Sequence, residues 1–389
     1  MGSSQERKVR EMAEMTRRDR ILAASQGKRA DKLPFLHWWR HMQIGWAERE
    51  CRNRGMGMAW ARPSHVVRVN NVAVTEEKNA SLGPGVVRIT YSTPKGSVYM
   101  DEKREPGTGE WHANRSWKDV IPWARKRLIR EPQDYEVVQY IVENTEYLPD
   151  YFPIEQAQEW LGSEGVVLAV LPKTPMARLI IEWIGSEEGR CYIHLKKYRD
   201  RMEALCAAMS KNMERLYEVA AQSPADFMWV VENMEGLLIS PPLYEKYFLP
   251  EYEKCAQIFH RHGKKWAIHM DGRLKVLKNL IAQSPIDIIE ALHPPPMGDL
   301  SLDEALAAWK DKIIWIGYPA AIYELGPEAV KKYTLDLLRS AVPGDRLVIA
   351  MSTENLVSNE NLLMVTSVLE NADLPLTEEK IRQIERSIV

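Results

Sequence analysis

The chain has 389 residues, 45% of them hydrophobic and 27% charged, enough for one large α/β barrel or two smaller domains. Its 52 basic and 54 acidic side chains leave a formal charge of −2, which gives no global attraction to nucleic acid or to an anionic membrane. No apolar run approaches the ~18 residues of a membrane span, the charged, polar N-terminus predicts no secretory signal, and four scattered cysteines (Cys51, Cys191, Cys206, Cys255) without metal-type spacing predict reduced thiols in the cytoplasm.

Residues 5–25 read as a charged helix within an N-terminal helical extension, 1–30. Acidic residues interleave with Arg17, Arg18 and Arg20 there, which predicts a solvated face. The apolar run at 35–39 predicts the first strand and 66–74 a second. Over 86–103, β-branched alternation flanks Pro94-Lys95-Gly96 and predicts an inserted hairpin. Helical periodicity follows at 135–144 and 154–161.

From residue 165 the pattern becomes regular. Strand-length apolar runs at 166–171, 228–231, 266–268, 286–292, 313–316 and 347–350 alternate with helical segments at 201–221, 242–262, 275–282, 302–309 and 327–341. Buried strands alternating with amphipathic helices predict a parallel sheet. With the two earlier runs the strands number eight, the count of a (β/α)8 TIM barrel; a doubly wound open sheet is the alternative. No low-complexity linker divides the chain, so a single domain over 1–389 is expected.

The stretch KWAIHMDG at 265–272 is the most informative. An apolar strand ends in His269 and Asp271, and residues two apart on a strand face the same side. Parallel α/β proteins keep their chemistry at such strand ends. The corresponding positions elsewhere hold Trp38, Trp39, Arg40 and His41 after the first run, Glu232 after the fourth, and His293 with Asp299 after the sixth. Tyr318 follows the seventh and Glu354 the eighth.

One histidine with several carboxylates is the composition of a divalent metal site. Zinc on His269 with Glu232, Asp271 and Glu354 is the arrangement expected. The plainer readings are a helix cap for Asp271 and a solvated loop for Glu232. Trp38, Trp39, Arg40, His41 and His293 read as substrate contacts. His260 and His262 fall at a helix end and receive no role. Thirteen tryptophans against five phenylalanines predict mainly core packing, with a minority lining a flat pocket for an aromatic ligand. The chain has no G-x-x-x-x-G-K-[ST] loop, no G-x-G-x-x-G after a strand, no H-E-x-x-H and no G-x-S-x-G. Kinase, nicotinamide-dehydrogenase, zincin and α/β-hydrolase readings lose their usual support.

In MTRRDRIL at 15–22, ISPPLYEKYFLP at 239–250, HMDG at 269–272, MGD at 297–299, Ile316-Gly317 and Glu360-Asn361, the chain resembles the uroporphyrinogen decarboxylase superfamily. The match spans most of 15–365 and is densest over 228–365. The resemblance implies a (β/α)8 barrel with its pocket at the strand C-termini. Its decarboxylase branch carries an arginine-rich signature after the first strand. Here Arg40 is the single arginine of Trp38-Trp39-Arg40-His41-Met42-Gln43-Ile44-Gly45-Trp46, too little positive charge for a polycarboxylate tetrapyrrole.

The other branch, corrinoid-dependent methyltransferases, holds zinc on a His-x-Cys pair and a distant Cys. His269 matches the first ligand, Asp271 stands at the first Cys position and residues 351–354 at the last. Loss of both thiolates disfavours thiol methylation and favours an enzyme that takes a methyl group from a small donor, with Glu232 the counterpart of the glutamates that some ether-cleaving relatives use for zinc. The resemblance thus implies O-demethylation of a methoxylated aromatic. Either zinc or a general acid, His269 or Tyr318, would assist the leaving group, and Asp271 would share the catalytic work. No D-x-H-x-x-G corrinoid signature is present, so cobalamin would arrive on a separate corrinoid-binding protein. A homodimer stays open. A smaller-tetrapyrrole decarboxylase and a non-catalytic binding barrel are the alternatives.

Overall fold

A computed structural model of the chain describes residues 14–78, 80–103, 123–353 and 356–388. Eight parallel strands close into a barrel in chain order: β1 (Phe35–Trp38), β2 (Gly57–Arg62), β3 (Gly165–Leu171), β4 (Phe227–Val230), β5 (Trp266–His269), β6 (Ile288–Leu292), β7 (Ile313–Gly317) and β8 (Leu347–Ala350). Closure is made where Phe35 and Leu36 of β1 pair with Ile349 and Ala350 of β8. Helices such as Arg199–Ala221, Leu249–Arg261 and Pro327–Ala341 connect successive strands. Their apolar faces and the outward residues of the strands form one large buried cluster. The fold is a (β/α)8 barrel.

A second, smaller cluster fills the barrel itself. Alternate residues point inward: Leu36 and Trp38 from β1, Ala59 from β2, Phe227 and Trp229 from β4, Ala267 from β5, Trp315 from β7, Ala350 from β8. Large residues sit against small ones. Trp38 stacks on Trp229 with ring centroids 4.7 Å apart and lies 6.3 Å from Trp315. These three indoles fill the space that Ala59, Ala267 and Ala350 leave, so the lower barrel is solid and only its upper end can hold a ligand.

The helix Arg17–Ser25 closes the bottom. Thr16 and Asp19 form a reciprocal capping box, and Ile21 and Ala24 enter the inner cluster. Its arginines are not a solvated face, contrary to the sequence reading. Arg18 donates to Gly165 O at 2.9 Å and to Asp226 at 2.8 Å, Arg17 pairs with Glu164 at 2.7 Å, and buried Arg20 pairs with Asp31 at 2.7 Å. The acidic partners lie in other elements, so local charge alternation could not reveal the docking.

The predicted second strand at 66–74 is not in the barrel. That place belongs to Gly57–Arg62, which lacks β-branched residues but pairs with β1 and β3. His65–Val69 instead pairs antiparallel with Thr145–Pro149. Ala73–Lys78 is an edge of a four-stranded antiparallel sheet with Val86–Thr93, Gly96–Lys103 and Trp123–Lys126. Its strands are Val- and Thr-rich because one face stays exposed, and that alternation outscores the fully buried β2 on sequence signal alone. Among the described residues no helix is long and apolar enough to cross a membrane.

Candidate active site

β5 and β6 run side by side with His269 registered against Glu290, so both side chains point into the upper barrel. His269 Nδ1 donates to Glu290 Oε2 at 2.5 Å, and the same oxygen accepts from Trp229 Nε1 at 2.9 Å. On the other side of the imidazole, Nε2 lies 3.5 Å from Asp271 Oδ2. The Glu290 side chain is only 2% exposed, whereas that of His269 is 20% exposed. A β-bulge follows directly: Ala291 adopts φ 64°, and the pairing with β7 shifts between Glu290 and Leu292. This left-handed residue, costly for a side chain with Cβ, ends the regular alternation at the point where Glu290 must face inward.

Two carboxylates flanking one imidazole fix its charge. Burial favours neutral His269, but Glu290 and Asp271 outweigh it and raise the pKa to about 10. Burial likewise disfavours ionised Asp271, yet the imidazolium and the Asn233 amide hold its pKa at about 2. His269 is therefore an imidazolium at neutral pH.

The loops after β4 and β5 keep this geometry. Gly272 N donates to Met234 O at 3.0 Å and Gly236 N to Arg273 O at 2.8 Å. A Cβ on Gly272 would stand 2.4 Å from Met234 O, which explains the glycine after Asp271. Asn233, at φ 51°, donates to Asp271 Oδ2 at 3.2 Å and accepts from Lys173 Nζ at 2.7 Å. A continuous polar line thus crosses four strand ends, Lys173–Asn233–Asp271–His269–Glu290–Trp229.

The other sequence candidates divide. Trp38 lies inside the barrel on Trp229, but Trp39 turns outward and stacks on Trp60 at 4.5 Å. Arg40 and His41 complete the short turn Trp39–His41 and are half-buried. His293 sits beside the His269 cluster. Its ring packs on Gly317, where a Cβ would come within 2.5 Å of Nε2, and Nδ1 is buried with no hydrogen-bond partner among the described residues. Burial lowers its pKa, with Asp271 opposing, so His293 is the neutral imidazole next to the charged one.

Tyr318 is placed away from the cavity. It is fully buried in the helix layer, its hydroxyl 3.0 Å from Thr334 Oγ1 and 3.3 Å from Val330 O. Following inward Gly317, it takes the outward parity of the strand. Glu232 is also withdrawn. At 0% exposure its carboxylate accepts from Thr174 N at 2.8 Å, from Tyr252 OH at 3.1 Å and from the Thr174 hydroxyl. Burial raises its pKa against those bonds. Asp299 accepts from Leu274 N and Lys275 N at 2.8 and 3.0 Å and caps the following turn, a role the sequence had offered to Asp271. His260 and His262 pair with Asp287 and Glu218. Glu354 lies outside the described residues.

Zinc needs a neutral imidazole and at least two further free donors. Here both ring nitrogens of His269 face carboxylates, Glu232 is saturated, and no group of three or more His, Cys, Asp or Glu is arranged to hold a metal among the described residues. The side chains as placed do not fit a zinc ion, and no step is routed through one. Glu290 and Trp229 are the members of the His269 cluster that sequence reasoning missed. The available signal was a lone carboxylate inside the apolar run IIEAL at 288–292.

No protein-family model and no curated protein sequence matches the chain. Among solved structures, a methyltransferase from Methanosarcina mazei is similar over 91% of this chain and 98% of its own, with a TM-score of 0.54 and 12% sequence identity. At that identity the likeness establishes the barrel fold and leaves the chemistry to the residues.

Proposed function

We propose that this barrel is a corrinoid-dependent methyltransferase that demethylates a methoxylated aromatic compound. The observation that carries the reading is the placement of the His269 ring at the barrel mouth between Glu290 and Asp271, above a floor of tryptophan. The fold likeness to a methyltransferase supports it.

An aryl methyl ether is inert because phenolate leaves poorly. A cob(I)alamin carried by a partner protein supplies the nucleophile that accepts the methyl group. The protein's part is to orient the ether and hand a proton to the departing oxygen. His269, with a pKa of about 10, is matched to a phenol of pKa ~10, so the proton moves with almost no free-energy gap. With the methyl group passed to that acceptor, the His269 proton would go to the oxygen whose bond to methyl is broken, so the product leaves as the neutral phenol. Nε2 faces Asp271 at 3.5 Å, a long contact from which its proton would pass to the substrate oxygen, while Glu290 fixes the ring through Nδ1. Trp38 and Trp229, stacked on each other, form the apolar floor beneath His269.

Exposed apolar residues around the mouth would suit a docking surface for the partner. Loops that follow β1, β4, β5, β6 and β7 expose Ile44, Trp46, Leu237, Val276, Met297 and Leu325, with Leu237 71% exposed. Single exposed apolar residues are ordinary, but their concentration on one end of the barrel fits a protein interface.

The test is anaerobic incubation with reduced cobalamin and a panel of methoxybenzoates, following release of the phenol. Stoichiometric phenol supports the reading; no release over ethers, amines and thiols removes it.

A further inference from the structure

Outside the barrel lies a cavity that the proposed reaction does not use. It has a volume of about 320 Å³ and sits between the His65–Val69/Thr145–Pro149 ribbon, the helices Asp134–Glu143 and Arg199–Ala221, and the turn after β3. That volume is within the ~300–1,000 Å³ of small-molecule sites. Its walls are apolar, with Val138, Ile141, Met209 and Met213 among them. Val67 lines it yet is 56% exposed, so the cavity opens to solvent beside that residue.

The polar groups of the lining are weighted to one sign. Arg178, His65 and Tyr147 reach it, and no carboxylate lines it among the described residues. The Arg178 guanidinium lies over the Trp183 ring at 4.5 Å, which fixes its plane. Its Nε is buried and 3.2 Å from Glu182, out of line for a hydrogen bond, and its terminal nitrogens make none with the described residues. Tyr147 is buried, with its ring edge-on to His65 at 5.5 Å, and its hydroxyl likewise has no partner among the described residues. The Arg178 side chain is 29% exposed and ion-paired with Glu182 through Nε, which leaves its terminal nitrogens, beside a phenol hydroxyl, open to a further acceptor.

We infer that this lateral cavity binds a small apolar monocarboxylate, its chain among Val138, Ile141, Met209 and Met213 and its carboxylate on Arg178 and Tyr147. A planar guanidinium suits bidentate carboxylate pairing, and the apolar walls reject a second charge. The site is separate from His269 and independent of the methyl-transfer reading.

The probe is octanoate, titrated calorimetrically into the full chain, with octanol as the uncharged control. Saturable octanoate binding is expected, with octanol weaker by about tenfold or more, one charge-assisted contact being worth ~1.4 kcal/mol or above. Arg178→Met should weaken octanoate by a similar factor, and Ile141→Trp, which fills the space, should abolish binding while circular dichroism stays unchanged. His269→Ala should bind octanoate as wild type does. Absence of binding, equal affinity for octanol and octanoate, or unaltered binding in both cavity variants overturns the proposal. If Ile141→Trp does not fold, Arg178→Met with the octanol comparison decides alone.

Discussion

His269 Nδ1 and Glu290 Oε2 stand 2.5 Å apart across neighbouring strands, and that oxygen also receives the Trp229 indole N–H. The charge state of the mouth follows from this contact. A buried carboxylate needs a charged partner, and an imidazole inside two carboxylates needs its second proton.

Replacing Glu290 with Gln removes the nearer carboxylate and leaves Asp271. The His269 pKa should fall from about 10 by about 1–3 pH units. Because the protonated form is the acid, wild-type turnover should decline as pH rises through about 10, and the E290Q variant should lose activity correspondingly earlier. An unchanged alkaline limb in a pH–rate profile would separate Glu290 from the reaction.

Stability should carry the same signature. The folded His269 value lies above the ~6.5 of a free imidazole, so its contribution is complete below ~6.5 and is lost as pH rises through about 10. Asp271 is held at about 2, below a free ~3.9, so its contribution is present above ~3.9 and is lost as pH falls through about 2. His269→Ala should destabilise the protein by about 3–5 kcal/mol at neutral pH, because it removes the cationic partner of the buried Glu290 side chain. Adding Glu290→Gln should recover most of that loss in urea unfolding. A double variant as unstable as the sum of the single ones would deny the coupling.

Trp229→Phe keeps an aromatic ring against Trp38 but deletes the indole donor to Glu290. The expected cost is about 1–3 kcal/mol in denaturant unfolding. A neutral effect would mean that the bond contributes packing alone.

The barrel was largely legible. β3 to β8 and the helix Pro327–Ala341 match apolar runs and 3.6-residue periodicity to within one or two residues, because fully buried strands and amphipathic helices write themselves into hydrophobicity. β2 was not, since Gly57–Arg62 carries no β-branched residue while the exposed ribbon beyond it does. The His269–Asp271 tip was visible from two-residue parity. Glu290 was not, since its partnership with His269 depends on the register between two strands. Tyr318 and Glu232 stand at strand ends as expected, yet an inward glycine before one and a threonine clamp on the other turn them into the protein.

The apolar rim makes a separable prediction. Trp46→Asp should raise the KM for a corrinoid-carrying partner by about tenfold. Turnover with free reduced cobalamin should stay unchanged, because Trp46 does not touch the cavity group around His269. Equal loss in both assays would place Trp46 in folding, and no loss in either would move the docking surface elsewhere.

Nuclear magnetic resonance of ring-labelled histidine reads the protonation state of His269 directly. The His269 resonances should report an imidazolium from pH 6 through 9 with a midpoint of about 10. A neutral ring at pH 7.5, or a midpoint near the ~6.5 of a free imidazole, would contradict it.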